Sequence, residues 1–456
     1  MGAQSRVMGS ASHKVSGEWA SLDRVISGGP LEKGGTLRVR DPSPHGERGG
    51  ARLLKVERCF RVCCFLSHRP LFFGVLVMAA STIATTTTLA GEQSATLRAN
   101  MKSSSNPAPE KHEDQDDQFF WSYTEEPHRS RRMAIIKAHP EVLKLCGPEP
   151  LTIPLVLAVV ALQCTCAYLL SNTPFWSWRF WLTAYVIGAT ANQNLFLAIH
   201  EISHNLAFKS GLANRLLAIV ANLPIGIPYS ASFRPYHLTH HKSLGVDGLD
   251  TDLPTALEAF FLDSIAGKAF FCTFQILFYA LRPMMVYQIP LTKIHALNIA
   301  VQLLFDYVLI QAWGGKAVGY FILSSFLAGS LHPVAGHFIA EHYVFDRASL
   351  ENKQSRDPKN RIPVPETFSY YGPLNLLTYN VGLHNEHHDF PAIPWTRLWK
   401  VNEIAKEFYQ DLPYHRSWVG VIWQFILDKE VGLWCRVKRK EGGRKVGAWK
   451  EEEIQN

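Results

Sequence analysis

FWLTAYVIGATANQNLFLAI, residues 180–199, runs straight into HEISH, residues 200–204. The first 20 of these residues carry no charge, and two histidines then follow four positions apart. A helix needs about 20 apolar residues to cross the hydrocarbon core of a bilayer. Residues four apart share one helix face. The stretch therefore reads as a membrane-spanning helix that delivers His200 and His204 together to one membrane surface.

The same pattern recurs outward from it. Leu151 to Ser171 holds 21 residues without charge, and only Asn172 to Ser177 separate it from the next span, so these two helices form an antiparallel hairpin. Ala296 to Trp313 is apolar except for Asp306, and Ala317 to Ala340 has no formal charge but contains His332 and His337. Four spanning helices in two hairpins are expected. Leu212 to Pro228 holds Arg215 and two prolines, and Ala269 to Leu281 is too short to span; both read as helices in the interface or against the bundle. Trp176, Trp178, Trp181 and Trp313 fall near span ends, where interfacial aromatics collect. Arg129, Arg131, Arg132, Lys137 and Lys144 precede the first span, which the positive-inside tendency puts on the cytoplasmic side. Counting spans from there brings every histidine cluster to that same side. The fold class expected is an all-α integral membrane protein with a cytoplasmic cap that carries a histidine-rich site.

Eight of the nineteen histidines form three boxes: His200 and His204 in HEISH, His237, His240 and His241 in HLTHH, and His384, His387 and His388 in HNEHH. A lone histidine on an apolar face is usually a satisfied core residue, and chance HxxxH pairs are common. HxxHH occurring twice is much rarer. Each box can aim two or three ring nitrogens at one point, and imidazole is the commonest neutral metal ligand. A catalytic zinc takes three protein ligands and a structural zinc four, so eight imidazoles suit two metals. His342 is the first choice for a further ligand and His337 the second. His332 reads as structural, His295 as interfacial, and His112 and His139 as solvated. Ligating histidines need partners that fix their tautomers; the candidates are Glu201, Asp250, Asp252, Asn380, Glu386 and Asp389.

The metal that activates O2 on such ligands is typically iron, and removing hydrogen from an alkyl chain needs a strong oxidant in a dry cavity. A lipid could bring its chain from the membrane into a slot lined by Leu195, Phe196 and Phe233. No dinucleotide fingerprint is present, so a separate electron donor is implied, with the basic stretch Arg436 to Lys440 as its docking surface. HEISH also fits the H-E-x-x-H zinc-protease signature with Glu201 as base, but boxes two and three would then be surplus. A metal transporter would need more polar residues in the spans than Asp306 and a few amides.

Composition frames this reading. Of the residues, 47% are hydrophobic, and the net charge is +7. Eight cysteines include no CxxC pair and no disulfide framework, so they read as small buried or lipid-facing thiols in a reducing compartment. Residues 1–70 are basic and rich in Gly, Ser and Arg, and an uncharged stretch, Leu71 to Ala90, follows within the extension 1–100. An extra span or anchor, a targeting sequence and residues upstream of the true start compete there; a dispensable extension is the reading adopted. Residues 101–118 read as a polar linker, residues 151–440 as the membrane domain and residues 441–456 as a polar tail.

Four longer runs carry a family resemblance: FWSYTEEPHRSRRMAIIKAHPEV (120–142), ANLPIGIPYSASFRPYHLTHHKSLGVDGLDTDLPT (221–255), HPVAGHFIAEHYVF (332–345) and TFSYYGPLNLLTYNVGLHNEHHDFPAIP (367–394). Together they resemble the sphingolipid delta-4 (dihydroceramide) desaturases, within the membrane fatty-acid desaturase and hydroxylase superfamily, with residues 119–150 as that family's N-terminal segment. The resemblance implies insertion of a trans C4–C5 double bond into the sphingoid base of dihydroceramide. It implies two non-haem irons on the eight box histidines, O2, and electrons from NADH through cytochrome b5 and its reductase, at the endoplasmic reticulum membrane. Nucleic acid is not among the expected partners. Relatives that hydroxylate C4, or do both reactions, leave the product open between alkene and alcohol.

Overall fold

The computed structural model describes residues 118–122, 124–353 and 364–440. The expected extension (1–100, with its apolar stretch 71–90), all of the linker but Gln118, and the tail (441–456) lie outside the described residues.

The first spanning expectation becomes helix Thr152–Leu170. The second becomes one helical run: Trp178–Thr183, a π-helical turn Ala184–Ala189, and Thr190–Ser203. The π turn sits where the run presses on helix Gly315–Ala328. A Cβ at Gly188 would collide with the Ser324 side chain, so the missing side chain is what lets the two backbones approach. Helices Lys293–Trp313 and Gly315–Ala328 form the second hairpin, and the turn between them uses Gly314 at φ +82°, a conformation open to glycine. The expected single span Ala317–Ala340 is broken: the chain bends by 45° before Pro333–Ala340.

Two expectations are corrected. Ala269 to Leu281 is not a short segment but the middle of helix Ile265–Val286, whose 22 residues are long and apolar enough to cross a bilayer. Three described helices meet that criterion alone, and five if each bent pair counts as one span. The charges that cut the sequence window, Lys268 and Arg282, lie on a buried face with Gln275. Lys268 donates to the carbonyl of Val431 at 2.7 Å, and Arg282 pairs with Glu258 at 2.9 Å. The second correction concerns Arg436 to Lys440. Arg436, Lys438 and Arg439 are buried, and strand Val437–Arg439 pairs in parallel with Phe120–Ser122. A stretch locked into a small sheet offers no open docking patch.

Polar side chains point inward and large apolar ones outward. Gln163, Asn192, Asn222 and Gln302 are fully buried, whereas Leu169, Leu303 and Leu304 are more than half exposed. Asn192 donates to the Pro224 carbonyl at 3.0 Å and to Ser325 at 2.8 Å, and Tyr320 donates to Gln163 at 2.8 Å. Without a hydrophobic drive between helices in lipid, such bonds and close packing hold a bundle together. Asn222 also secures the 115° bend between Gly211–Ile225 and Ser230–Lys242: its carbonyl accepts from the backbone of Tyr229 and Ser230 at 2.8 and 2.7 Å. That bend turns box two back toward box one.

Candidate metal centre

Box one ends helix Thr190–Ser203, box two occupies the last two turns of helix Ser230–Lys242, and box three is the short helix His384–Asp389. In box three, positions 384, 387 and 388 lie on one face by the three-and-four rule. The three boxes converge. His200, His204, His237, His241 and His387 form one group and His240, His342 and His388 a second, with ligand atoms in each group within 4.8 Å of one another. The Nε2 atom of His384 lies 2.9 Å from that of His342, beside the second group. The rings of His241 and His388 stack at 4.1 Å and link the two groups.

Hydrogen bonds on the outer ring nitrogens show what the inner ones can do. The Nδ1 of His342 lies 3.0 Å from the Glu366 carbonyl, which can only accept. The Nδ1 of His240 lies 2.9 Å from the Asp250 carboxylate. Each neutral imidazole therefore keeps its proton on Nδ1 and turns a bare lone pair inward from Nε2. Those two Nε2 atoms stand 3.1 Å apart, close enough to repel. A shared cation turns that repulsion into ligation. The Nε2 atoms of His200 and His388 are likewise buried with no partner. This donor set fits metal ions.

Burial pushes His342, His384, His387 and His388 well below the ordinary histidine value, with neighbouring imidazoles adding to the effect. The neutral form is the ligating one. For His240 burial acts in the same direction, but the Asp250 carboxylate outweighs it and draws the value up.

Family comparisons agree with this geometry. The fatty acid desaturase family matches residues 176–419, and the sphingolipid Delta4-desaturase family matches residues 115–151. A sphingolipid delta(4)-desaturase of Schizosaccharomyces pombe is 60% identical over 324 residues, which cover 71% of this chain and 88% of the relative. The chain belongs to the sphingolipid delta(4)-desaturase family. A Drosophila melanogaster sphingolipid delta(4)-desaturase is 45% identical over 71% of this chain and 96% of its own length. A human sphingolipid delta(4)-desaturase/C4-monooxygenase is 45% identical over 70% of this chain and 94% of its own length.

The structure separates the expected supporting residues of this desaturase. Asp250 touches a box histidine, as described. Glu386 instead accepts from Ser369 and Tyr371 at 2.9 Å each. Asp389 holds Arg131 at 2.6 Å and His128 at 2.7 Å, and the His128 ring in turn packs against His388. Glu201 accepts from the backbone of Trp395, Asn380 donates to the Trp395 carbonyl, and Asp252 pairs with Arg436. His337 belongs to neither group: its Nδ1 faces Glu341 at 3.0 Å and its Nε2 takes the amide of Gln193. Two supports were missed by sequence reasoning. One is Glu341, whose carboxylate lies 3.6 Å from Nδ1 of His384; its place beside His342 was the available signal. The other is the Glu366 carbonyl, which carries no residue-type signal. Of the expected slot residues, Phe233 stacks on His237 at 5.0 Å, while Leu195 and Phe196 are buried in the core beside box one.

Proposed function

We propose that this chain is a sphingolipid 4-desaturase that converts dihydroceramide to ceramide by forming a trans C4–C5 double bond. In this reading His200, His204, His237, His241 and His387 hold one iron, and His240, His342, His384 and His388 hold the other. The pair supplies the O2-dependent oxidising power that removes two hydrogens from the sphingoid chain. The protein's own part is to present bare nitrogens, keep them neutral and exclude water. Asp250 and the Glu366 carbonyl hold protons on the outer nitrogens of His240 and His342. In this reading the alkyl chain lies beside box one near Phe233, which stacks on His237. Electrons come from NADH through cytochrome b5 and its reductase, and the site faces the cytoplasm at the endoplasmic reticulum membrane.

The observation that supports this reading is the convergence of the three boxes and His342 into two close groups of ring nitrogens, with His240 and His342 held from behind by Asp250 and the Glu366 carbonyl. Metal analysis of purified protein tests it: two irons per chain are expected, and one zinc would overturn it. His240→Ala and His387→Ala should abolish desaturation in microsomes while membrane insertion persists; full activity in both would also overturn it. The human relative named as both desaturase and C4-monooxygenase supports a second reading, in which some product is the C4 alcohol. Mass spectrometry separates the two, since the alkene lacks two hydrogens and the alcohol gains one oxygen.

A further inference from the structure

The box-two helix has a second working face. His237, His240 and His241 point to the metal groups, but Ala231, Arg234, Pro235 and Leu238, spaced as one helix face, line a cleft on the other side. Ile202 and Ser203 of the box-one helix, Arg215 of helix Gly211–Asn222, and the segment from Tyr287 to His295 close it. The cleft adjoins the histidine site: Arg234 reaches the backbone beside His204, donating to the Ser203 carbonyl at 3.1 Å.

Its chemistry is specific. Most of the lining is apolar, and no aspartate or glutamate is part of it, yet two guanidinium groups, Arg215 and Arg234, share it. Burial first, and the charge of Arg215 second, hold the Arg234 guanidinium below its ordinary value. His295 adds an independent sign. The backbone N–H of Thr292 donates to its Nδ1 at 3.1 Å, so the neutral ring carries its hydrogen on Nε2. That Nε2 is buried without a partner, on a residue only 7% exposed. A buried donor left unsatisfied costs about 1–3 kcal/mol. Two cations and a waiting donor above an apolar trough make a receptor for an acceptor-rich anion on a hydrocarbon chain.

We propose that this cleft binds a lipid with a phosphate monoester head, with the phosphate on Arg215, Arg234 and the His295 Nε2–H and the chain along Ile202 and Leu238. Guanidinium groups match phosphate geometry. Dihydroceramide has no phosphate, so this site is not the expected route of the substrate. Two sources share the chemistry: phosphatidic acid in the bilayer and a phosphorylated sphingoid base. A ligand here touches the back of the box-two helix and so biases the histidines it presents.

The test uses the full-length enzyme in nanodiscs of phosphatidylcholine alone, with graded phosphatidic acid, or with sphingosine 1-phosphate. Thermal unfolding and desaturation rate are read in each. The midpoint should rise with one of the phosphomonoester lipids, as it does for any ligand that binds only the folded state. Which lipid acts identifies the source. Arg215→Gln should keep the basal rate in phosphatidylcholine yet weaken the response by about tenfold or more. Ala218→Phe fills the trough from another helix and should abolish the response with both arginines intact. No response to either lipid overturns the proposal. So does an undiminished response in both variants, or displacement of the lipid by dihydroceramide one for one, which would make the cleft a substrate path.

Discussion

Asp250 decides which nitrogen of His240 faces the centre, and it is itself fixed by the backbone N–H of Gly245 at 2.7 Å. Partners of this kind are worth about 10–100-fold in metal affinity. If the second group holds iron as proposed, Asp250→Asn should weaken its retention by a factor in that range, measured against a graded chelator; unchanged retention would contradict the assigned role. Away from the site, His415 sits between Phe345 and Phe368, and burial pushes it down to about 4. An unfolded histidine titrates near about 6.5. The unfolded chain therefore binds more protons than the folded one between these values, and stability falls as pH drops from 6.5 toward 4. His415→Phe should flatten that part of the melting-temperature profile relative to wild type. At this scale the box histidines were legible because the three-and-four spacing puts them on one face. Glu201, Glu386 and Asp389 were tempting because they adjoin histidines in the chain. A neighbour in sequence is turned by about 100° on a helix of 3.6 residues per turn, which carries Glu386 and Asp389 away to Tyr371 and Arg131.

At the scale of elements, close approach governs. Gly188 lets the π turn of the 178–203 run lie on Ser324 and Tyr320. Gly188→Val should lower stability by about 1–3 kcal/mol, the usual cost of overpacking, read as a drop in melting temperature in detergent. An unchanged melting temperature would show that the contact is slack. The run 151–171, without charge, and the run 296–313, with Asp306 alone, were legible as helices because lipid-facing segments need no polar partners. Helix Ile265–Val286 was cut short in the reading because a hydropathy window stops at Lys268 and Arg282. Only the fold shows that Val431 and Glu258 accept those charges. The strand Val437–Arg439 was misread for a related reason: a basic run looks solvated until its pairing partner, more than three hundred residues earlier, is in place.

At the scale of the whole molecule, convergence of boxes one and three constrains topology. The chain must cross the bilayer an even number of times between His204 and His384. Helix Lys293–Trp313 is long and apolar enough for one crossing, and Gly315–Ala328 for a second only together with the bent Pro333–Ala340. Helix Ile265–Val286 cannot add a third by itself, although it is long enough. Its two ends are tied by Lys268 to the Asp428–Val431 loop and by Arg282 to Glu258 and the Asp252 carbonyl. Single cysteines replacing Ile265 and Met285 should react with an impermeant reagent from the same membrane side; labelling from opposite sides would refute this.

The strand Val437–Arg439 closes on the other end of the described chain, and Arg439 grips both the Glu366 carboxylate and the Leu244 carbonyl. Glu366 is the residue whose carbonyl aims His342. The orientation of His342 in the second group thus depends on a strand that lies well beyond the last box histidine in the chain. Truncation just ahead of Val437 would leave every box histidine in the chain while removing Arg439, which steadies the residue behind His342.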